Sequence, residues 1–413
     1  MLNKINTSKP FRLALYAFAI VFSLSTIRVI TKASDLTSIG TASSALLLSV
    51  PIAMAALGGL FSERSGVVNI GLEGMMIMGA WGGGMVGCKH GPWLGLVAGI
   101  FMGALGALIH AIATVGFGVD HVVSGVAINI LAAGLARYLS TILYKRGSWV
   151  GPSQSPDITS IGVNGLPVLS GGKYFGWQSP DLFGAIGNRD WFFISDIFSI
   201  LRGFTGEVSY VTLIAISLVP LSYWFLWHTA FGLRLRSAGE APTAAESLGV
   251  NVYKMKYAGV IISGGFAGLG GAFLAIVAAN HYQENQTGGR GYIGLAALIF
   301  GNWRPGGLMT GAGLFGFADA LQLRDATAIH ALLMLLAAAM LLVAISNFKK
   351  KKFGSSIVSL ATALLAIWLY LTFTELPGQF VTMTPYLVTL LVLGLGTQRL
   401  RMPAADGIPY RRG

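Results

Sequence analysis

Between Phe11 and Gly396 the chain repeats one pattern, an apolar run about as long as a bilayer is thick, closed by a short polar or glycine-rich stretch. An α-helix needs about 20 predominantly apolar residues to cross a hydrocarbon core of about 30 Å. Such runs are Phe11–Ile30, Ser43–Phe61, Val67–Cys88, Trp93–Phe117, His121–Tyr144, Val208–His228, Tyr257–Ala279, Gly306–Leu321, Ala328–Ser346, Ile357–Thr374 and Phe380–Gly396. Tyr292–Asn302 is too short to cross. With the NWRPGG turn after it, it reads either as part of a re-entrant hairpin or as one of two short tilted helices. Only 11% of the 413 residues are charged, where soluble domains carry about 25%. The chain is expected to be an all-α, polytopic protein of the cell's inner membrane, one transmembrane domain over residues 1–413.

The formal charge of +12 does not point to nucleic acid, because the basic residues are not gathered into one patch. They fall in clusters between apolar runs: Lys4, Lys9 and Arg12; Arg234, Arg236, Lys254 and Lys256; Lys349 to Lys352; Arg399, Arg401, Arg411 and Arg412. Twelve crossings put all four clusters on one side, and a re-entrant hairpin would leave that parity unchanged. The positive-inside rule makes that side, and both termini, cytoplasmic. Residues 145–207 then form a long extracytoplasmic segment, with as many acidic as basic residues. The first run is expected to stay as an uncleaved helix, since STIRVITKA makes a weak cleavage site.

Small residues recur four apart: Gly79, Gly83 and Gly87; Gly99, Gly103 and Ala107; Gly264, Gly268 and Ala272; Gly307 and Gly311. Each set lines one helix face and lets another helix approach closely. Catalytic motifs are missing. GGFAGLGG (264–271) lacks the Lys and Ser/Thr of a phosphate-binding loop, no HExxH or CxxC occurs, and the single Cys88 excludes an internal disulfide. No catalytic residue, cofactor or metal is assigned to this chain.

Two stretches carry functional information. SERSGVVNIGLEGMMIMGA (62–80) sets Glu63, Arg64, Asn69 and Glu73 beside a membrane-grade run. Charges cost about 2.5–3.5 kcal/mol in a membrane span, so such groups face protein, water or a solute path. Glu73 shares a helix face with Asn69. It reads as a structural or gating group ahead of a solute-binding one, the bland alternative being a carboxyl satisfied by backbone donors at a helix start. Asn129 and Asp319 complete the candidate pathway or gating set.

The second stretch is the loop over residues 229–256, with RLRSAGEAPTAAESLGVNVYKMKY at 234–257. Pro242 suits a first helical turn, Gly249 a stop, and Asn251 the cap of the next helix. The helix Ala241–Leu248 is either a plain connector or a lever that docks on a separate ATPase. Docking needs small residues, which Ala241, Ala244 and Ala245 supply.

The loop resembles the coupling loop of permease subunits of ABC importers in the branched-chain amino acid and simple-sugar class, through Arg236, Gly239, Glu240, Pro242, Ala244, Ala245, Gly249, Val252 and Lys256. SGGFAGLGGAFLAI (263–276), GRGYIGLAALIFGNWRPGG (289–307), TPYLVTLLVLGLG and the PAADGIPYRRG ending are similar too. NIGLEG (69–74) resembles the nucleoside-transport branch, where sugar permeases tend to carry a GGIDLSVG-like sequence. The resemblance implies about ten core helices, and it makes residues 325–375 an added helical hairpin. It assigns ATPase coupling to Glu240, Ala241, Pro242, Ala244, Ala245 and Gly249. It also implies an ABC ATPase subunit that carries ATP and Mg, a second related permease, an extracytoplasmic substrate-binding lipoprotein, and surrounding membrane lipid. Rival readings are a simple-sugar ABC permease, an ion-coupled secondary transporter using Glu73 and Asp319, and a membrane scaffold.

Overall fold

The computed structural model describes residues 9–143, 153–174, 176–324, 326–373, 383–384, 386–387 and 400–411. The predicted run Phe380–Gly396 lies almost entirely outside them, as do Lys4, Arg399 and Arg412. Fifteen α-helices occur among the described residues: α1 (Lys9–Thr31), α2 (Ile39–Arg64), α3 (Leu72–His90), α4 (Pro92–Ala111), α5 (His121–Leu143), α6 (Leu182–Gly187), α7 (Ile194–Thr205), α8 (Tyr210–His228), α9 (Ala230–Glu240), α10 (Pro242–Ser247), α11 (Val252–Phe273), α12 (Arg290–Phe300), α13 (Pro305–Gln322), α14 (Ala326–Lys349) and α15 (Phe353–Thr372). Seven helical stretches are long and apolar enough to cross a bilayer, beginning at Ile39, Pro92, His121, Tyr210, Val252, Thr327 and Phe353. The protein is a multi-pass, all-α membrane protein.

The chain divides into two compact units. The smaller holds residues 1–45, 164–208 and 317–385. In it α14 and α15 pack against each other as a hairpin, and the His330 and Tyr370 rings stack at 4.4 Å between them. Arg28 of α1 pairs with the buried Asp196 of α7 at 3.2 Å, and Thr37 donates to the same carboxylate. A two-stranded antiparallel hairpin joins β1 (Lys173–Tyr174) to β2 (Trp177–Gln178). The described part of the segment 145–207 therefore has structure of its own, including α7, whose periodicity is hidden by the polar stretch around it.

The larger unit, residues 46–163, 209–316 and 386–413, is built on α3, α4 and α11. Their glycines set the spacing. A Cβ on Gly79 would lie 2.3 Å from the Gly268 carbonyl oxygen, and one on Gly103 would lie 2.2 Å from that of Gly264. Backbones touch where side chains would normally intervene, so the three small-residue faces read from the sequence meet one another. The fourth face is used locally: a Cβ on Gly307 would meet the Gly301 oxygen at 2.3 Å and close the turn between α12 and α13. With 11 residues α12 is about 16 Å long, about half of what a crossing needs. A five-residue π turn ends both α4 (Ile112–Gly116) and α11 (Leu274–Ala278). The Leu274 carbonyl accepts the Ala279 N–H that closes the second of these (3.1 Å), and Gln286 Nε2 donates to the same oxygen at 2.8 Å.

Candidate functional site

One polar site surrounds a break between α2 and α3, where the sequence suggested a span starting at Val67. Ser62 Oγ donates to the Val67 carbonyl at 2.6 Å, and Gly66 takes φ +84°, which ends α2. Helix resumes only at Leu72. The seven residues between the two helices, 65–71, have backbone groups outside any helical ladder, and the break can persist in a membrane protein only if other groups supply partners. They do so. His110 Nε2 lies 3.1 Å from the Val68 carbonyl, which can only accept, so the ring carries its proton there and Nδ1 accepts from Ser124 Oγ at 2.8 Å. His121 Nδ1 accepts from the Val68 N–H at 3.3 Å. Neither histidine figured among the candidate residues, and no spacing rule in the sequence links either to Val68.

Asn69, Glu73 and Asn129 are brought together here. Asn129 Nδ2 donates to the Ile70 carbonyl (3.0 Å) and to the Tyr292 hydroxyl (2.9 Å), while its Oδ1 accepts from the Gly74 N–H (2.7 Å). Asn69 is fully buried; its Nδ2 donates to Ser263 Oγ at 2.9 Å, and its Oδ1 has no hydrogen-bond partner among the described residues. Glu73 sits in the first turn of α3 and accepts from the backbone N–H groups of Gly289 (3.0 Å) and Gly291 (2.7 Å). Its carboxylate caps the start of α12, where free N–H groups and the helix dipole favour negative charge. A Cβ at Gly291 would stand 2.6 Å from the Glu73 Cα, so glycine is what allows this approach. Asp319 belongs to the smaller unit, where it is buried and accepts from Gln322 Nε2 at 2.5 Å.

The loop over 229–256 holds α9 as well as α10; α9 did not stand out because its charged residues break the apolar pattern. Arg64 binds the Trp303 carbonyl (2.9 Å) and Glu240 Oε1 (3.4 Å), and Trp303 Nε1 donates to Glu63 at 2.5 Å. Lys256 Nζ reaches the Gly66 carbonyl at 3.1 Å. Pro242 opens α10, and Gly249 takes φ +80° just beyond it. Ala241 and Ala244 are exposed, but Ala245 is buried against Ala238 and Val252. Ala245 therefore fixes α10 to its own chain and presents nothing outward. Leu248 is 84% exposed at the tip and stands beside Ala244 as an outward apolar group; in the sequence only its position before the Gly249 stop marks it. Asp406 of the C-terminal segment meets the Glu63 carboxyl, and burial pushes its acid group up to about 7 despite that bond and nearby Lys256 and Arg64.

The family model for the permease component of branched-chain amino acid transport systems matches residues 41–345. The chain belongs to that family. It is similar to the guanosine ABC transporter permease protein NupQ of Bacillus subtilis, 36% identical over 89% of this chain and 95% of that protein. The nucleoside ABC transporter permease protein NupC of Lactococcus lactis is 33% identical over 88% of this chain and 94% of its own length. A putative glucose ABC transporter permease protein of Haloferax volcanii, TsgC13, is 37% identical over 66% of the chain and 73% of its own. No solved structure matches.

Proposed function

We propose that this permease is the membrane-spanning subunit of an ATP-driven nucleoside importer. The carrying observation is the near end-to-end similarity to two nucleoside permeases, at 36% and 33% identity. In this reading ATP is hydrolysed by a separate subunit, a second permease completes the pathway, and an extracytoplasmic lipoprotein delivers the solute. Exposed Ala241, Ala244 and Leu248 on and beside α10 form a small apolar knob suited to a groove on the ATPase. Asn69, Asn129 and Glu73 control the pathway by holding its helices in place, since each is engaged by groups of another element, and Asp319, bonded to Gln322 of its own helix, is a gating candidate within the smaller unit. A neutral solute with a flat base and a ribose suits amide, hydroxyl and aromatic partners better than fixed charge.

Similarity to a glucose permease over two-thirds of the chain favours simple sugars as a second reading. Uptake into proteoliposomes holding the complete complex separates the two. Labelled guanosine or uridine should accumulate with ATP, and unlabelled nucleoside, not glucose or ribose, should compete. Accumulation of glucose alone would move the chain to the sugar reading.

A further inference from the structure

Beyond the contact of Asp406 with Glu63, the segment 400–411 holds the larger unit at the α12–α13 turn, α9, α2, α10 and α11. Arg401 N–H donates to Asn302 Oδ1 in the turn between α12 and α13 (2.7 Å). Ala404 N–H donates to Glu240 Oε2 (3.2 Å), and Ala405 N–H to the Gly239 carbonyl (2.9 Å) at the end of α9. Asp406 meets Glu63 at the end of α2. A Cβ on Gly407, which takes φ +76°, would lie 3.4 Å from the Val68 side chain in the broken segment. Tyr410 then covers α10: its hydroxyl donates to Glu246, its ring packs on Tyr253 with centroids 5.7 Å apart, and its carbonyl lies 3.5 Å from the Tyr253 hydroxyl.

These contacts matter because α10 has little else to hold it. It is six residues long, with Ala245 alone fully buried. Isolated helices shorter than about 12 residues are marginal, so its rigidity comes from tertiary contacts. Tyr410 is the large side chain of the tail that packs on the Ala238, Ala245 and Val252 cluster beneath it.

We infer that residues 401–410 are a strap that fixes α10 to the α2–α3 break and the α12–α13 turn, with Tyr410 as its positioning residue, so that a push on α10 moves the pathway helices instead of bending the loop. This rests on the reading of α10 as the ATPase contact. It follows that loosening the strap should leave ATP hydrolysis running while less solute moves per ATP.

Two measurements on the full-length permease test this. In a Cys88→Ser background, a spin label at Ser247→Cys, on the exposed side of α10, reports its mobility in the permease alone. Tyr410→Ala should mobilise the label, and Tyr410→Phe, which keeps the ring and loses the hydroxyl, should do so less. An unchanged spectrum in both variants would overturn the strap whether or not α10 meets an ATPase. In the assembled complex, Tyr410→Ala should lower nucleoside imported per ATP by about fivefold, the ratio that ~1 kcal/mol corresponds to. ATPase association and hydrolysis should persist. Unaltered import per ATP, or loss of ATPase association, would overturn the inference; the second result would make the tail part of the docking surface itself. Failure of wild-type complex to import any nucleoside would sink the functional reading and leave the label experiment to judge the strap.

Discussion

Replacing Glu73 tests how the start of α12 is held against α3. Its two oxygens accept from Gly289 and Gly291 N–H at 3.0 and 2.7 Å, both oxygens being used. Hydrogen bonds to a charged group contribute about 1.5–3 kcal/mol each, and a buried donor left unmet costs about 1–3 kcal/mol. Glu73→Gln keeps one acceptor and turns an NH2 toward the other N–H, so it should cost about 2–3 kcal/mol. Glu73→Ala loses both bonds and should cost about 3–6 kcal/mol, within the range seen when a buried charge network is broken. Thermal unfolding of the purified permease in one detergent should rank wild type above Glu73→Gln and that above Glu73→Ala. Amide exchange should accelerate at Gly289–Gly291 in the same order. Wild-type stability and exchange in Glu73→Gln would refute the cap. A large loss of substrate affinity without loss of stability would make Glu73 a solute ligand.

Three further outcomes follow from other residues. Gly103→Ala places a methyl 2.2 Å from the Gly264 oxygen and should destabilise the protein by about 1–3 kcal/mol, whereas Gly134→Ala, with open space around it, should be neutral or stabilising by up to ~1 kcal/mol; unfolding of both variants checks the glycine-set spacing. Asp406, raised from 3.8 to about 7, is favoured protonated in the docked tail, so docking is fully supported below its ordinary value and weakens as pH rises through about 7. Glu63 and Arg64 from α2 and Lys256 from α11 face it, and proteolytic cleavage of the tail should quicken between pH 6 and 8 in wild type but not in Asp406→Asn. Ala244→Trp, exposed on α10, should leave the permease folded yet block ATPase binding in a pull-down, and normal binding would remove α10 from the docking site.

The membrane class, most helix positions and the glycine faces were legible because they depend on local composition and on period. The helix α10 was legible from Pro242 and Gly249, which act within a single turn. The break was not. Val67, Val68 and Ile70 read as span, and the groups that stabilise its backbone, His110, His121 and Asn129, arrive from elements far along the chain. Ala245 shows the same limit: as a residue type it suits docking, and only Ala238 and Val252 beside it show that it faces inward. The tail motif was visible as a resemblance, but its seat on Gly239, Glu240 and Glu246 depends on contacts some 160 residues apart.

ATP-dependent uptake by the reconstituted complex tests the central claim most directly. Labelled guanosine or uridine should enter vesicles only when ATP, the ATPase, both permeases and the binding lipoprotein are present, with ribose, leucine and nucleotides failing to compete. Uptake driven by a proton or sodium gradient without the ATPase, or competition by ribose or leucine but not by nucleosides, would contradict it.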